Sequence, residues 1–552
     1  MIKRKARDRN FDLLCISIFT ITIALTPWVN QDSLIIPKLI VLFVSAAYFL
    51  PNLRFLPKTI TGFRVSKVFL ILLLAVAIQI FLVMVVTIPP FEQQFFGRTG
   101  RGLGFVTEFS LLVVLVIAYS YIKEDKLKLI LFTLVASSLI STIYSILQRF
   151  NLDIFDWNTR TNGIIGTLGN PNFQSSFAAM SIVPTLVYFW GNKKVFSILL
   201  TLPLLLVIYV SQSTQGYLLL VTSLLVFLII YFSFKNYKIA FGLLLALAIM
   251  SVFAVAGMVN RGPLTQYLYK VSVQSRGDFF RTSLAIAQDN PFFGVGLDSL
   301  GDFYLMYRDP NNSSGIGEFA DNSHNIFLNY AATGGYPLAF LQAAIVVLTF
   351  YCFFKLYRNS LHFNKNLTAL FCAWLCYQLQ SLISPANISM MAWNALISGS
   401  IIGLVTHKSL TTKEFRPSLE INSKAFQRLG MFLALLSIVA AYPYFNVDRQ
   451  VLRSAKTGDA NLALRAVKSF PQSSVRYNFV GQEFIRSNLP EQSLDIARAA
   501  VKFNPNAVSG WLLILVNNYA PINERIRAKE EVLRLDPFNS EVANLSISDT
   551  SK

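Results

Sequence analysis

The 552-residue chain is short of charge, of histidine and of cysteine, and each shortage removes a class of function. Charged residues make up 14% of the chain against 54% hydrophobic ones, which excludes a soluble globular protein as its main part. The four cysteines, Cys15, Cys352, Cys372 and Cys376, lie in or beside apolar stretches, so no external disulfide framework is expected. Cys372 and Cys376 share a helix face but have no His or carboxylate partner nearby in sequence, and neither HExxH, a P-loop nor a structural zinc spacing occurs. No motif in the chain points to a bound metal or cofactor. Acidic residues are absent from the apolar stretches apart from Asp12, at the edge of the first, and Glu108, whereas ion-coupled transporters need intramembrane carboxylates to carry protons or sodium.

What is present is a series of apolar runs near the ~20 residues that cross a bilayer. Thirteen are read, at 11–29, 34–50, 68–88, 105–121, 127–147, 173–190, 195–211, 217–234, 239–258, 325–354, 367–384, 389–406 and 429–445. The expected fold is therefore all-α: a polytopic membrane helical bundle of about 13 spans over residues 1–445, with a large extracytoplasmic loop at 259–323. The first run lacks a small-residue cleavage site and leads straight into a second, so it reads as a span or half of a re-entrant pair. Alternate connections hold 24 and 9 basic residues, and the richer set includes the N-terminus. The positive-inside bias then puts the N-terminus in the cytoplasm and the large loop and C-terminal region outside. Lys38, inside the second run, is expected to snorkel to the outer interface.

The two faces differ in the kind of cation as well as the number: 16 Lys and 8 Arg inside, 8 Arg and 1 Lys outside. Insertion needs only charge, whereas a planar guanidinium suits phosphate oxygens, so the outer arginines point to a phosphorylated ligand rather than to nucleic acid. The alternative is pairing with outer acids such as Glu92, Asp153, Asp156, Asp278 and Asp289, or with lipid headgroups. His324 is the one histidine of three that this topology places outside, at the end of the 65-residue loop Val259 to Ser323. An imidazole beside arginines is a candidate proton acceptor; its plainer reading is a helix-end residue. Asp321 and Asn322 could orient it, or cap a helix starting at Ser323. Arg98 and Arg101 lie in the glycine-rich turn Phe95 to Gly104, Asn170 and Asn172 precede a span as caps or ligands, and Ser211 to Gly216 forms a polar turn. Arg276 opens an amphipathic stretch in which Phe280, Leu284 and Ala287 share a face, expected to lie on the membrane surface.

Arg276 with its helix, Asn290-Pro-x-x-Gly-x-Gly296, Gly169-Asn170-Pro171-Asn172, and His324-Asn325 followed after nine residues by Gly335 resemble the O-antigen ligase and polymerase superfamily of bacterial membrane glycosyltransferases. The resemblance spans roughly Phe11 to His407. It implies a metal-independent enzyme of the bacterial plasma membrane with His324 as catalytic residue and Arg276 on a carrier pyrophosphate. Many members carry an arginine where this chain has Ser213-Thr214-Gln215-Gly216, so that contact is expected from Gln215, Arg98, Arg101, Arg160 or Arg281. The chemistry also fits the residues alone. A polyprenyl pyrophosphate is a good leaving group, so the enzyme must orient an acceptor hydroxyl, take its proton and stabilise charge developing on phosphate, inverting the anomeric centre.

From Asn446 the spans give way to amphipathic patterns, and Pro471, Pro505 and Pro537 recur 34 and 32 residues apart, near the ~34-residue period of tetratricopeptide repeats. Residues 446–545 are expected to form extracytoplasmic helical repeats that grip a protein partner or a glycan, or cover the loop; 546–552 are expected to be disordered. Sugar and acceptor, whether lipid, glycan or protein, are not legible. A protein O-oligosaccharyltransferase, a flippase of lipid-linked glycans and a membrane scaffold for the repeats remain the alternatives.

Overall fold

The computed structural model describes residues 2–55, 64–155, 157, 164–190, 193–310, 319–409 and 423–547. Arg160 and positions 548–552 lie outside them. Among the described residues the chain is all-helical, 77% helix with no strand. Eight helices are long and apolar enough to cross a membrane: Ile35–Leu53, Val65–Val86, Glu124–Arg149, Thr214–Ser233, Tyr237–Met258, Ile326–Arg358, Ile388–Thr406 and Lys424–Thr457. Phe105–Tyr121 and Lys194–Val210 are shorter apolar helices at the expected places. The three other expected segments are also helices, Ile2–Ile23, Pro171–Phe189 and Lys365–Ser381. Pro171–Phe189 buries Gln174, Ser175, Ser176, Ser181 and Thr185 against neighbouring helices, which dilutes its apolar signal.

Two features of the bundle depart from sequence expectation. Lys38 does not reach an interface: it is 1% exposed, and its Nζ donates to the carbonyls of Ile21 and Thr22 and to Ser389 Oγ at 3.1–3.2 Å. A cation there satisfies the open carbonyls at the end of Ile2–Ile23 and its dipole, and ties that helix to Ile388–Ser409. The second departure is at the edge of the loop. The helix after His324 begins at Ile326, capped by Asn325 Oδ1, which accepts from the amides of Phe327 and Leu328; Asp321 and Asn322 do not cap a helix at Ser323. The left-handed backbone of His324, φ 54°, breaks the helical path at that point.

The helix Ile326–Arg358 is itself broken at Gly335, whose φ of 78° and ψ of 168° are non-helical. Into this kink fits the turn Asn290 to Gly296: Val295 and Gly296 donate to the carbonyls of Ala332 and Thr333, and Tyr336 donates to Pro291. Gln79 clamps both sides through the carbonyls of Phe292 and Gly334, at 2.7 and 2.9 Å. A Cβ on Gly335 would stand 2.3 Å from the Phe292 carbonyl carbon, and one on Gly294 2.4 Å from Ala332 O. Gly294 and Gly335 thus let two backbones touch, fixing the loop on the bundle. Gly335→Ala combines that clash with an unfavourable φ and is expected to destabilise the protein by about 2–4 kcal/mol. Thermal unfolding in detergent measures it; a midpoint unchanged from wild type would contradict the docking.

The helix Ser423–Thr457 runs unbroken through position 445, and six helices follow it: Ala460–Lys468, Ser474–Arg486, Pro490–Phe503, Val508–Leu515, Ile522–Leu535 and Ser540–Ala543. Pro471, Pro505 and Pro537 fall between successive helices, where a residue without an amide hydrogen costs nothing. Two small cores hold this region together, one around Trp511, Ile514 and Val532, the other around Tyr477, Val480 and Phe484.

Candidate functional site

His324 sits where the loop meets the bundle, and its position is fixed by local chemistry. Its amide donates to Asn322 Oδ1 at 3.0 Å, and its Nδ1 lies 3.2 Å from the Asn322 carbonyl. A carbonyl can only accept, so Nδ1 carries the proton and the Nε2 lone pair is left for a ligand. The ring is tilted 33° over Phe279 at 4.9 Å. Ser283 Oγ and Ser323 Oγ, 2.7 Å apart and buried, join the loop helix Val271–Asp289 to the residue before the histidine. Burial, then the nearby Arg101 and Arg276 cations, lower the imidazole to about 4 against the pull of Asn322 and Asp321. The ring is therefore neutral at physiological pH.

Of the apolar face read on the loop helix, Ala287 is buried, Leu284 is 42% exposed and Phe280 is partly covered; Phe279, Thr282, Ser283 and Ile286 are buried as well. Two of the buried residues are the ones that meet His324 and Ser323, and a polar contact of this kind leaves no mark in hydrophobic periodicity. Arg276 lies on the same helix one turn before Phe279, and its Nε is buried without a hydrogen-bond partner. Burial lowers the guanidinium from its ordinary value. An orphaned donor in such a place is stabilised by an anionic ligand.

Three of the other candidate arginines are occupied. Arg98 Nη1 is 2.8 Å from Asp302, and Arg101 grips Asp321 with Nε at 3.0 Å and Nη2 at 2.7 Å. Arg281 pairs with Asp278 and lies 3.6 Å from Asp309. Of these partners only Asp278 was among the acids expected from sequence. Burial works against both charged forms, but the carboxylates of Asp302 and Asp321 outweigh it and raise Arg98 and Arg101 above the usual arginine value. Burial also opposes the Asp321 charge, yet Arg101 and Arg98 hold that carboxyl below its ordinary range. Asp298, unremarked in the sequence, accepts the amides of Arg98 and Leu103 at 2.7 and 2.9 Å and so pins the glycine-rich turn. Burial pushes it up to about 6.

The remaining candidates are spread further. Asn170 caps Pro171–Phe189 by accepting from the Asn172 amide at 2.8 Å, and Asn172 accepts from Ser213 Oγ at 2.7 Å. Gln215 is saturated, donating to Ser176 and accepting from Ser384. Asn325 caps its helix and donates to the Leu382 carbonyl. The structure thus brings His324, Arg276, Arg101, Asp321 and Asn325 together, with Arg98 behind Asp321, and gives Asn170, Asn172 and Gln215 bonds within the bundle. A cavity of about 60 Å³ begins at Ile326 and Phe327 and descends between four helices, lined by Glu108, Tyr330, Gln342, Tyr377, Gln378 and Asn394 among apolar walls. Tyr330 donates to Glu108 at 3.1 Å.

The long apolar helices are those of a multi-pass membrane protein, and where the loop meets the bundle stand a half-buried neutral imidazole and a guanidinium with an unpartnered Nε. Residues 198–343 match the family model described as O-antigen ligase, a stretch that contains Arg276, the Asn290–Gly296 turn, His324 and Gly335. That match supports the O-antigen ligase superfamily and suggests a role in membrane glycan transfer. A search of curated proteins returned no match.

Proposed function

We propose that the protein is a membrane glycosyltransferase that moves a glycan from a polyprenyl-pyrophosphate carrier to an acceptor hydroxyl at the extracytoplasmic face. The observation that carries this reading is the pairing of His324, its Nε2 free, with the unpartnered Nε of Arg276 across the loop–bundle junction. His324 takes the acceptor proton as the hydroxyl oxygen attacks the anomeric carbon; the bond to the carrier phosphate breaks and its electron pair stays on the pyrophosphate beside Arg276. Attack opposite the leaving group inverts the anomeric centre. Charge neutralisation comes from guanidinium, so no divalent cation is called for. In this reading about 13 helices span the plasma membrane, with the N-terminus cytoplasmic and the loop and C-terminal helices outside, as the lysine distribution supports.

Transfer assayed in proteoliposomes with a polyprenyl-pyrophosphate-linked glycan is the direct test. With His324 near 4 in the free protein, the base is already deprotonated above that pH, and kcat/KM is expected to hold down to about pH 5 and fall below about 4. An ordinary histidine would give way near ~6.5. The kcat limb should lie higher, because bound pyrophosphate cancels the Arg276 and Arg101 charges that depress the ring. A kcat/KM profile breaking at the ordinary histidine value, or a product of retained configuration, would count against the site as described.

A further inference from the structure

The region after residue 457 is joined to the site by charge rather than merely tethered to it. Asp302 is the joint. Its carboxylate receives Arg98 Nη1, Gln93 Nε2 and Asn504 Nδ2, each at 2.8 Å, and the Asp302 side chain is 2% exposed. Asn504 comes from the far end of Pro490–Phe503; it is 1% exposed, also reaches Ser474 Oγ at 3.2 Å, and is held by the Asn506 amide on its own oxygen. Beside it a second cross-link, the buried pair Arg308–Asp536 at 2.7 Å, fastens the helix Leu300–Tyr307 to the same region. Met306, also on that helix, packs into the core around Trp511 and Val532.

From Asp302 the contacts run to the histidine. Arg98 stands in the turn that Asp298 pins, Arg101 of the same turn holds Asp321, and Asp321 is three residues before His324. Resting on the catalytic reading above, we propose that Asn504 is a positioning residue: by completing the Asp302 shell it keeps Arg98 away from Asp321, leaves Arg101 to Asp321, and so sets the charge around His324. The C-terminal helices are then part of the catalytic assembly, whatever else they bind. A neutral amide is suited to this place, since a third donor stabilises Asp302 without adding charge next to Arg98.

The charged groups around this joint are Arg98 with Asp298 and Asp321 beyond it, and the neighbouring Arg308–Asp536 pair. Asn504→Asp in the full-length protein sets a second carboxylate against Asp302. Near neutrality the two repel and the joint opens; as pH falls one of them takes up a proton and the hydrogen bond returns. Transfer is expected to be down about tenfold at pH 8 and within about twofold of wild type at pH 5.5. Asn504→Leu removes the donor without adding a carboxylate, and its loss of transfer should be alike at pH 8 and pH 5.5. Wild-type rates in Asn504→Asp would overturn the proposal, as would a loss that is the same at every pH and follows a lowered unfolding midpoint. So would an Asn504→Leu variant whose loss disappears at pH 5.5, because the recovery would then owe nothing to a carboxylate at position 504. His324→Asn run alongside separates the two claims: transfer retained there sinks the catalytic reading, whereas an inactive His324→Asn with an undisturbed Asn504→Asp sinks only the positioning role.

Discussion

Transfer in His324→Asn should be about 10²- to 10⁴-fold slower than in wild type, with the protein still folded and membrane-inserted. Asparagine is the informative replacement because of the backbone. His324 has φ 54°, a left-handed conformation in which alanine costs about 1–2 kcal/mol while asparagine is tolerated. Alanine would therefore confound loss of the base with displacement of Asn325, the cap of the helix Ile326–Arg358. Asn keeps a polar side chain near Phe279 and Arg101 but has no basic nitrogen. Unchanged turnover in His324→Asn, with normal amounts of protein in the membrane, would remove the histidine from the mechanism.

The same left-handed residue shows how sequence and structure divide the labour. The apolar segments are set by local periodicity and length, so Phe105–Tyr121 falls on the expected residues and the neighbouring spans within a few positions. Asn170 is legible as a cap because its partner, Asn172, is two residues away. His324, Arg276 and the Asn290–Gly296 turn were brought together by the resemblance to the O-antigen ligase and polymerase superfamily rather than by a local signal. What could not be read are partners chosen across long separations. Asp298 and Asp302 lie 195–209 residues from Leu103, Arg98 and Gln93, and nothing near them in sequence signals that they will be buried. Four of the five expected pyrophosphate-binding arginines, Arg98, Arg101, Arg160 and Arg281, were offered chiefly for their residue type. Guanidinium binds a carboxylate as readily as a phosphate, and in the folded chain Arg98, Arg101 and Arg281 meet carboxylates.

Lys38 failed for a related reason. Hydropathy treats a lysine in an apolar run as something to be lifted out of it, but three acceptors from two other helices converge on its ammonium. On Val271–Asp289 the burial of Thr282 and Ser283 was not legible, because the Ser283–Ser323 contact that accompanies it leaves no mark in apolar spacing. In each case a polar contact between distant elements overrides the local pattern.

Arg276 should be the most sensitive cation. Arg276→Gln is expected to lower kcat/KM for the lipid-linked donor about 10²- to 10³-fold, comparable to losing a preorganised donor at a developing oxyanion. Its Nε is buried and unpartnered, so the helix bears the desolvation cost of that guanidinium in the absence of ligand, and the cost is offset when phosphate oxygens arrive. Arg281→Gln, whose cation is 60% exposed and already shared between Asp278 and Asp309, should lose less than about threefold. Arg276→Lys keeps the charge but replaces a planar fork with a point donor, and it should recover only part of the loss, chiefly in donor KM. The same substitution removes a positive charge near His324 in Arg276→Gln, so the kcat/KM break of any residual activity should move up from about 4. Equal losses in Arg276→Gln and Arg281→Gln would mean that the loop acts through its overall charge, and that burial of one guanidinium confers no special role.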